Sequence, residues 1–399
     1  MEKIFKVAII GGGASGLLAA IELVIDGVIR GEDVAILERM DRLGKKLSVT
    51  GNGQGNLTNK NVSENYYHGD KDFILEFIKS YNSINLEDYL LKLGIPLTFD
   101  KKGKAYPLSK QASSVTDVLR TILNQKGVRV YTNFHVENVF NKSGIFNVYS
   151  KEETLLAENV ILATGGKSAK HFGTDGTAYS LAQEFGHKVS ELYPSLVQLK
   201  VERNCIKGLN GVKEQAKVRA FDGEKELKTS IGDVLFTDYG VSGSAVFEVS
   251  SYLTNAKNPT LKLEFLPEYS KEELHKIIEG KILKFGVKNC LTAVLNNKIS
   301  EKILKEVEPV STEIINRVKE YSVKITGTLG FNYAQVTKGG VLTNEICPKS
   351  FKSLKQENLY IIGEALNVDG DCGGYNLTFA FISGIISARN VKKRYILSK

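Results

Sequence analysis

Residues 6–16, KVAIIGGGASG, decide the fold of this chain. They join a short apolar run to a G-x-G-x-x-G turn, which leads directly into the helical stretch 17–25. A second apolar run, Val34 to Leu37, ends at Glu38. A strand, a glycine turn, a helix, a strand and an acid in this order predict the βαβ unit that binds dinucleotides. The alternative interpretation is a glycine turn in an unrelated α/β sheet.

Each residue type in this unit has a physical role. Gly11 allows the tight turn out of the strand, and Gly13 lets backbone N–H groups approach a diphosphate without an intervening Cβ. Gly16 lets the helix lie close to the sheet, and the positive end of the helix dipole faces the phosphates. Glu38 stands where a carboxylate can accept hydrogen bonds from ribose hydroxyls.

The composition is that of an ordinary globular protein. With 399 residues, 42% of them hydrophobic and 25% charged, the chain can bury a large core and is expected to form two or three domains. It contains no apolar run long enough for a membrane span, and its first apolar segment belongs to the nucleotide site rather than to a signal peptide. The four cysteines are far apart, which excludes a disulfide framework and predicts a cytoplasmic location.

The net charge of +8 allows two interpretations. The lysines are spread along the chain, which favours a solvated basic surface. The alternative is attraction of an anionic partner, such as a nucleotide, an acidic substrate or RNA. The five histidines show no ligand-type spacing, so no metal site is predicted.

The pattern along the chain predicts an α/β protein whose first domain is discontinuous. Helical spacing covers residues 72–93, and a β run at 159–163 returns the chain to the nucleotide sheet. From about residue 190, short strand-like runs predict an antiparallel sheet or barrel. Helical spacing then covers 270–320, and its last segment is STEIINRVKEYSV, 311–323. The expected domains are a Rossmann-type domain at 1–190 and 335–399, an inserted β-barrel-like domain at 191–268 and a small helical subdomain at 269–334.

Two further glycine sites follow strands later in the chain. Ala163-Thr164-Gly165-Gly166 can cross over a nucleotide near the first glycine turn, and Gly363-Glu364-Ala365 follows another β run. Residues 369–376, DGDCGGYN, then lead into an apolar helix, whose N-terminal amides can stabilise negative charge on a flavin ring. A nicotinamide dehydrogenase needs only the first unit. The order of all three sites predicts FAD.

Seven segments then carry a specific resemblance. They are GGGASG (11–16), LERMDRLGKKLSVTGNGQGNLTN (37–59), ATGG (163–166), GTDGTAYSLAQEFGH (173–187), FTDYGVSGSAVFEVS (236–250), TKGGV (337–341) and GEALNVDGDCGGYNLTFAFISG (363–384). In these segments the chain resembles the BaiN-type (YhiN-like) bacterial flavoproteins, distant relatives of the fumarate-reductase-type flavoenzymes. The resemblance implies a Rossmann-type FAD domain, an inserted barrel and non-covalent FAD. It also implies reduction of conjugated enones in bile-acid-like substrates or oxidation of small amines such as aminoacetone.

The glycine sites and the resembling segments give the expected cofactor-binding residues, except Val136, which is added from the strand-like run 135–139. These are Gly11, Gly13, Ala14, Ser15, Gly16, Glu38, Arg39, Lys45, Lys46, Thr50, Gly51, Asn52, Gly53, Asn56, Val136, Ala163, Thr164, Gly165, Gly166, Gly363, Glu364, Asp371, Gly373, Gly374, Tyr375, Asn376 and Leu377. The chain departs from the family pattern at several positions, one of which is a glycine loop. The family has G-x-G-R-C-N where this chain has Gly53-Gln54-Gly55-Asn56, so the arginine and the cysteine are both absent.

The chemistry expected at the site is hydride transfer at flavin N5, for which the protein supplies position and electrostatics. An enone reductase also needs an acid, and an amine oxidase needs aromatic walls. The candidate catalytic residues are Tyr375, Asp238 and Tyr239, whereas Cys372 is expected to be a small buried residue. The sequence has no second G-x-G-x-x-G, so NAD(P)H is expected to donate transiently in the substrate cleft.

Three functions follow from these observations. The favoured one is an FAD-dependent oxidoreductase of a small organic substrate, with an NAD(P)H-linked enone reductase ahead of an amine oxidase. A tRNA-associated flavoprotein is less favoured and is based on the net charge and on the lysine-bearing helices at 270–320. The third is a flavin-binding sensor without catalysis. The expected partner is a small molecule, with no membrane partner and no prediction of oligomeric state.

Overall fold

The computed structural model describes residues 3–397 and divides the chain into two compact units. The first unit contains the chain as far as Tyr193 and again from Val336, and the second contains Pro194–Gln335. The ends of the predicted first domain, residues 1–2 and 398–399, lie outside the described residues. Tyr193–Ser195 and Val336–Lys338 are the strands at which the chain leaves and re-enters the first unit.

A mainly parallel sheet forms the centre of the first unit. Its strands, in spatial order, are Arg129–Tyr131, Val34–Leu37, Ile4–Ile10, Thr154–Leu162, Ile145–Tyr149 and Asn138–Lys142, and Leu359–Ile361 also pairs with Thr154–Leu162. The predicted β run at 159–163 corresponds to the second half of the strand Thr154–Leu162. This strand is continuous because its first half pairs antiparallel with Ile145–Tyr149 and its second half pairs parallel with Leu359–Ile361.

Four helices of eleven residues or more lie in the described part of the first unit. They are Ala14–Val24, Lys71–Asn82, Ala112–Gln125 and Tyr375–Leu397, and the shorter helices of the unit are Leu86–Lys92 and Thr177–Glu184. The first and last of these pack closely, because Gly384 brings the C-terminal helix against the first one. A Cβ on Gly384 would lie 2.4 Å from the carbonyl oxygen of Ser15. The helical spacing predicted at 72–93 is divided between two helices, because Asn85 caps a new helix at Leu86 by accepting from the Asp88 amide.

Two small sheets complete the first unit. One contains Thr58–Asn59, Lys104–Pro107 and Leu97–Phe99, and the other pairs Tyr67–Gly69 antiparallel with Val368–Gly370. The second pairing joins a segment near the N-terminus to one just before the last helix.

The second unit contains a closed six-stranded barrel, which confirms the predicted barrel-like insertion. Its strands, in barrel order, are Leu199–Val201, Gly240–Ser242, Lys225–Phe236, Lys213–Asp222, Pro259–Phe265 and Tyr321–Thr328. The helices of the unit are Arg203–Ile206, Ser244–Ser250, Lys271–Phe285, Asn297–Glu306 and Ser311–Lys319. Barrel residues such as Phe265 and helical residues such as Ile278 share one apolar core.

One sequence prediction in this unit was wrong. The segment 311–323 was expected to be entirely helical, but its helix ends at Lys319 and a strand begins at Tyr321. Tyr321 pairs with Leu263 and is fully buried, so barrel closure overrides the local helical pattern. Within residues 3–397, no helix combines the length and the apolar character needed to cross a bilayer.

Candidate functional site

The three glycine sites lie at one edge of the central sheet. Ile10 pairs with both Leu37 and Leu162, and Leu162 pairs with Ile361, so these parallel strands end side by side. The turns that follow them therefore meet, as is usual for nucleotide sites in such sheets. The approach is close, since a Cβ on Gly11 would lie 2.5 Å from the Ala163 carbonyl oxygen. Only glycine fits there, because φ is +104°.

Open space lies at the start of the first helix. Gly13 is the residue before that helix and has an extended backbone, and no side-chain hydrogen bond caps the helix. A Cβ on Gly13 would meet no other atom of the described chain within 4 Å. At Gly16 the opposite holds, because a Cβ would lie 2.0 Å from the Gly11 carbonyl oxygen. Ala14 and Ser15 begin the helix next to this open space, so the helix start fits a diphosphate group.

Glu38 stands at the end of the second parallel strand and is buried. The Gly12 amide donates to its Oε2 and the Met40 amide donates to its Oε1, both at 2.8 Å. Burial raises the pKa of this carboxyl, although the two amides oppose the shift. Each carboxylate oxygen keeps a second lone pair, so the group can also accept from the hydroxyls of a ribose.

The residues that follow Glu38 are held by ion pairs. Arg39 Nη1 lies 2.6 Å from Asp175 Oδ2, in the GTDGT segment. Burial opposes ionisation of Asp175, but hydrogen bonds from Arg39 and Thr177 lower its pKa to about 2. Lys45 pairs with the exposed Asp41 at 2.6 Å.

Val136 lies in the segment after the edge strand Arg129–Tyr131. This segment runs beside Glu38, because the Phe134 amide donates to the Glu38 carbonyl oxygen at 2.9 Å. The structure thus places the segment that contains the predicted Val136 against Glu38.

Glu364 connects the third glycine site to the other two. Its Oε2 accepts from Lys46 Nζ at 2.8 Å and its Oε1 accepts from the Thr337 amide at 2.9 Å. Thr337 Oγ1 in turn accepts from the Lys167 and Ser168 amides, just beyond Gly165-Gly166. Gly363 also brings the third glycine site close to the first helix, since a Cβ there would lie 2.7 Å from Ser15 Oγ.

The loop at 50–56 has a strained backbone that its glycines permit. Gly51, Asn52, Gly53 and Gly55 all have positive φ, and residues 51–54 are exposed. Thr50 begins the loop and its carbonyl oxygen accepts from the Gly53 and Gly55 amides. The loop is also anchored by Asn56, whose Nδ2 donates to the carbonyl oxygens of Thr58 and Ala105.

The segment before the last helix is held on both sides. Asn376 donates to the Gly370 carbonyl oxygen and accepts from the Gly370 amide, at 2.7 and 2.8 Å. Asn59 Nδ2 donates to the Gly373 carbonyl oxygen at 3.0 Å, and Gly374 leaves no room for a side chain against the Thr58 carbonyl oxygen. Leu377 packs against the core of the unit.

Tyr375 is a packed residue in this structure. Its ring is 4% exposed and stacks on Tyr66, with ring centroids 4.4 Å apart and planes 8° apart. Tyr67 donates its hydroxyl to the Tyr375 carbonyl oxygen at 3.0 Å. The other two catalytic candidates, Asp238 and Tyr239, lie in the hairpin between Lys225–Phe236 and Gly240–Ser242 of the second unit.

Sequence reasoning missed one polar cluster next to this segment. His68 Nε2 lies 2.9 Å from Asp371 Oδ1, and His68 is the direct strand partner of Asp369. Burial is the main cause that raises the pKa of Asp369 from 3.8 to about 6. Asp371 was predicted, but its partner His68 was not, because the pairing joins residues some 300 positions apart and leaves no local pattern.

Comparison with known proteins agrees with this geometry. The family model described as the HI0933-like protein Rossmann domain matches residues 5–390. The chain belongs to this family. It is 35% identical to a 3-dehydro-bile acid delta(4,6)-reductase of Clostridium scindens, over 98% of this chain and 99% of that protein. It is 26% identical to a ribosomal RNA dihydrouridine synthase of Haemophilus influenzae, over 99% of this chain and all of that protein.

A solved structure shares the fold. The 3-ketosteroid-delta4-(5alpha)-dehydrogenase of Rhodococcus jostii, in complex with 4-androstene-3,17-dione, gives a TM-score of 0.53 at 15% identity and covers 97% of both chains. The predicted family resemblance and the predicted fold class are confirmed. This chain is an enzyme of the oxidoreductase class.

Proposed function

We propose that this protein is an FAD-dependent reductase of a carbon–carbon double bond conjugated with a ketone, on a steroid-like substrate. The observation that carries the proposal is the 35% identity, along nearly the whole chain, to a reductase of 3-dehydro-bile acids. The convergence of three glycine sites, each at the end of a parallel strand, supports FAD as the cofactor.

The reaction class follows from the relatives' substrates. A 4,5 double bond in a 3-keto steroid is conjugated with the carbonyl, so reduction adds a hydride to the β carbon and a proton to the α carbon. When bound, FAD would supply the hydride chemistry. We infer that NADH or NADPH provides the electrons, so each turnover consumes one nicotinamide and one proton.

The residues of this chain would hold the cofactor as follows. The helix start at Gly13 would bind the diphosphate, and Glu38 would accept from a ribose hydroxyl. The pair of Glu364 and Lys46 would fix the third glycine site against the first two. The amides at the start of the last helix, near Gly374 and Tyr375, would lie toward the ring.

The test is product analysis after turnover with a 3-keto-Δ4,6 bile acid and each nicotinamide cofactor. The expected product carries two extra hydrogens. One is the hydride, which comes from 4-deuterated nicotinamide through the flavin and loses deuterium to the extent that the reduced flavin exchanges with solvent. The other is a proton from water. A parallel reaction with aminoacetone and oxygen tests the amine oxidase alternative. Hydrogen peroxide formed from aminoacetone, with no reduction of the bile acid, would reject the proposal.

A second candidate function is dihydrouridine synthesis in ribosomal RNA. It is favoured by the full-length match to proteins of that description and by the net charge of +8. The 5,6 double bond of uracil is conjugated with a carbonyl, so the same hydride and proton additions would apply. The two functions separate in a test with unmodified ribosomal RNA, in which dihydrouridine in the digest identifies the RNA function. Binding should then weaken steeply with salt.

A further inference from the structure

Asp369 is a buried acid with an unusual setting. It is 2% exposed, and among residues 3–397 its Oδ2 has no hydrogen-bond partner. Unpaired buried carboxyl oxygens are costly, since the group has lost its water without a replacement. Such an atom in a folded protein therefore calls for a chemical explanation.

The pairing of two short strands places His68 next to this acid. Asp369 and His68 are direct partners in an antiparallel pair, so their side chains project to the same side. His68 Nε2 also lies 2.9 Å from Oδ1 of Asp371, which is itself 2% exposed. Asp371 therefore orients the imidazole while Asp369 stands beside it.

These three residues differ in their access to water. The His68 side chain is 23% exposed, whereas both acids are buried. His68 is therefore the member of the cluster through which a proton from solvent can reach Asp369.

The cluster is fixed to the start of the last helix. Gly370 follows Asp369 and is bonded through its amide and its carbonyl oxygen to the side chain of Asn376, in the first turn. The Asp371 amide donates to the Tyr66 carbonyl oxygen at 2.9 Å. The acid is thus held rigidly next to the helix start at which the proposed function places the flavin ring.

The charges that face Asp369 come from four elements. Burial is the largest influence and raises its pKa to about 6, His68 and Lys338 lower it, and Asp371 and Glu364 raise it further. The carboxyl therefore changes its protonation near physiological pH, where most aspartates remain ionised.

We propose that Asp369 stores the proton that the reduction consumes and that His68, oriented by Asp371, refills it from water. In the step, the Asp369 O–H bond breaks and leaves a carboxylate, and the proton goes to the α carbon of the substrate, where the new C–H bond forms. The carboxylate then takes a proton from the His68 imidazolium, which recovers one from solvent. Asp369 and His68 act here as a proton relay. This role rests on the proposed function.

The experiment is an infrared titration of the purified holoprotein from about pH 4 to about pH 8. It follows the C=O stretch of a protonated carboxyl. We expect one band that disappears near pH 6 and is absent from Asp369→Asn. His68→Gln should move the midpoint to higher pH and Asp371→Asn to lower pH, because His68 lowers the pKa of Asp369 and Asp371 raises it. Asp175→Asn, whose acid stays ionised in this range, is the control.

Opposite shifts in the two partner variants show that both side chains act on the ionisation of the Asp369 carboxyl. The inference is overturned if the titrating band persists in Asp369→Asn, or if neither partner variant moves its midpoint. If Asp369→Asn fails to fold, the midpoints of His68→Gln and Asp371→Asn still test the inference. The titration needs no substrate, so a normal titration with no bile acid reduction would reject the proposed function alone.

Discussion

Glu364 Oε2 lies 2.8 Å from Lys46 Nζ, although 318 residues separate the two in sequence. Lys46 follows the first βαβ unit, and Glu364 belongs to the third glycine site. The second oxygen of Glu364 accepts from Thr337, which holds the segment after the second glycine site. One carboxylate therefore connects the three parts of the sequence that build the cofactor site.

Replacement of Glu364 by Gln should weaken FAD binding by about 3- to 10-fold, in line with a partly buried charged hydrogen bond. The amide nitrogen of Gln would face the ammonium of Lys46 as a second donor. Titration of the apoprotein with FAD, followed by flavin fluorescence, measures the change. Lys92→Met, which breaks the exposed pair with Asp88, is the control and should bind as the parent does. Equal affinities for all three proteins would contradict the connecting role.

The two glycines at the helix start should respond differently to alanine. Gly13→Ala adds a methyl group to open space at a φ that alanine tolerates, so the melting temperature should stay unchanged. FAD affinity should nevertheless fall at least about 10-fold, because the methyl group occupies the diphosphate path. Gly16→Ala should lower stability by about 1 to 3 kcal/mol through its contact with the Gly11 carbonyl.

A third alanine variant controls for helix propensity in these measurements. Gly280 lies exposed in the helix Lys271–Phe285, with open space at its Cβ, so Gly280→Ala should stabilise by about 1 kcal/mol and leave FAD affinity unchanged. Normal FAD binding by Gly13→Ala would show that the diphosphate lies elsewhere.

The raised pKa of Asp369 should make the free energy of unfolding fall as pH rises. The folded protein holds this proton up to about pH 6, while the unfolded chain loses it near 3.8, so the folded state binds more protons between these values. Relative to Asp369→Asn, the parent should therefore lose about 2.5 kcal/mol of unfolding free energy between pH 4 and pH 7. Urea unfolding at several pH values measures this difference. A difference that is constant with pH would contradict the raised pKa.

His187 should have the opposite effect on acid stability. Burial lowers the pKa of this histidine, although Glu345 opposes the shift. Its Nδ1 lies 3.1 Å from Glu345 Oε2, and its Nε2 lies 2.8 Å from Ser353 Oγ. The unfolded chain gains a proton near pH 6.5 and the folded protein resists it, so stability should fall as pH decreases through about 6.5.

The matched pair of variants for this prediction is His187→Gln and His275→Gln. His187→Gln should remove the acid-dependent loss of unfolding free energy. Replacement of the exposed His275 by Gln should leave that loss unchanged. An identical pH dependence of the parent and His187→Gln would show that His187 titrates alike in both states.

The parts of the site that could be predicted from sequence are those formed by residues that are close together in the chain. Gly11, Glu38 and Ala163 each stand at the end of an apolar run, so strand ends and glycine turns could be placed from pattern alone. The pairing of His68 with Asp369 could not, because it depends on two three-residue strands that are far apart in sequence. Tyr321 was assigned to a helix for the same reason, since only barrel closure reveals its strand partner.

The most direct test of the central claim is the visible spectrum of the FAD-loaded protein under anaerobic conditions. NADH or NADPH should bleach the oxidised-flavin band, and a conjugated 3-keto steroid added afterwards should restore it at once. The 4,5-saturated ketone should leave the band bleached. Bleaching by aminoacetone but not by either nicotinamide, or a band that no conjugated ketone restores, would contradict the assignment of this protein as a conjugate reductase.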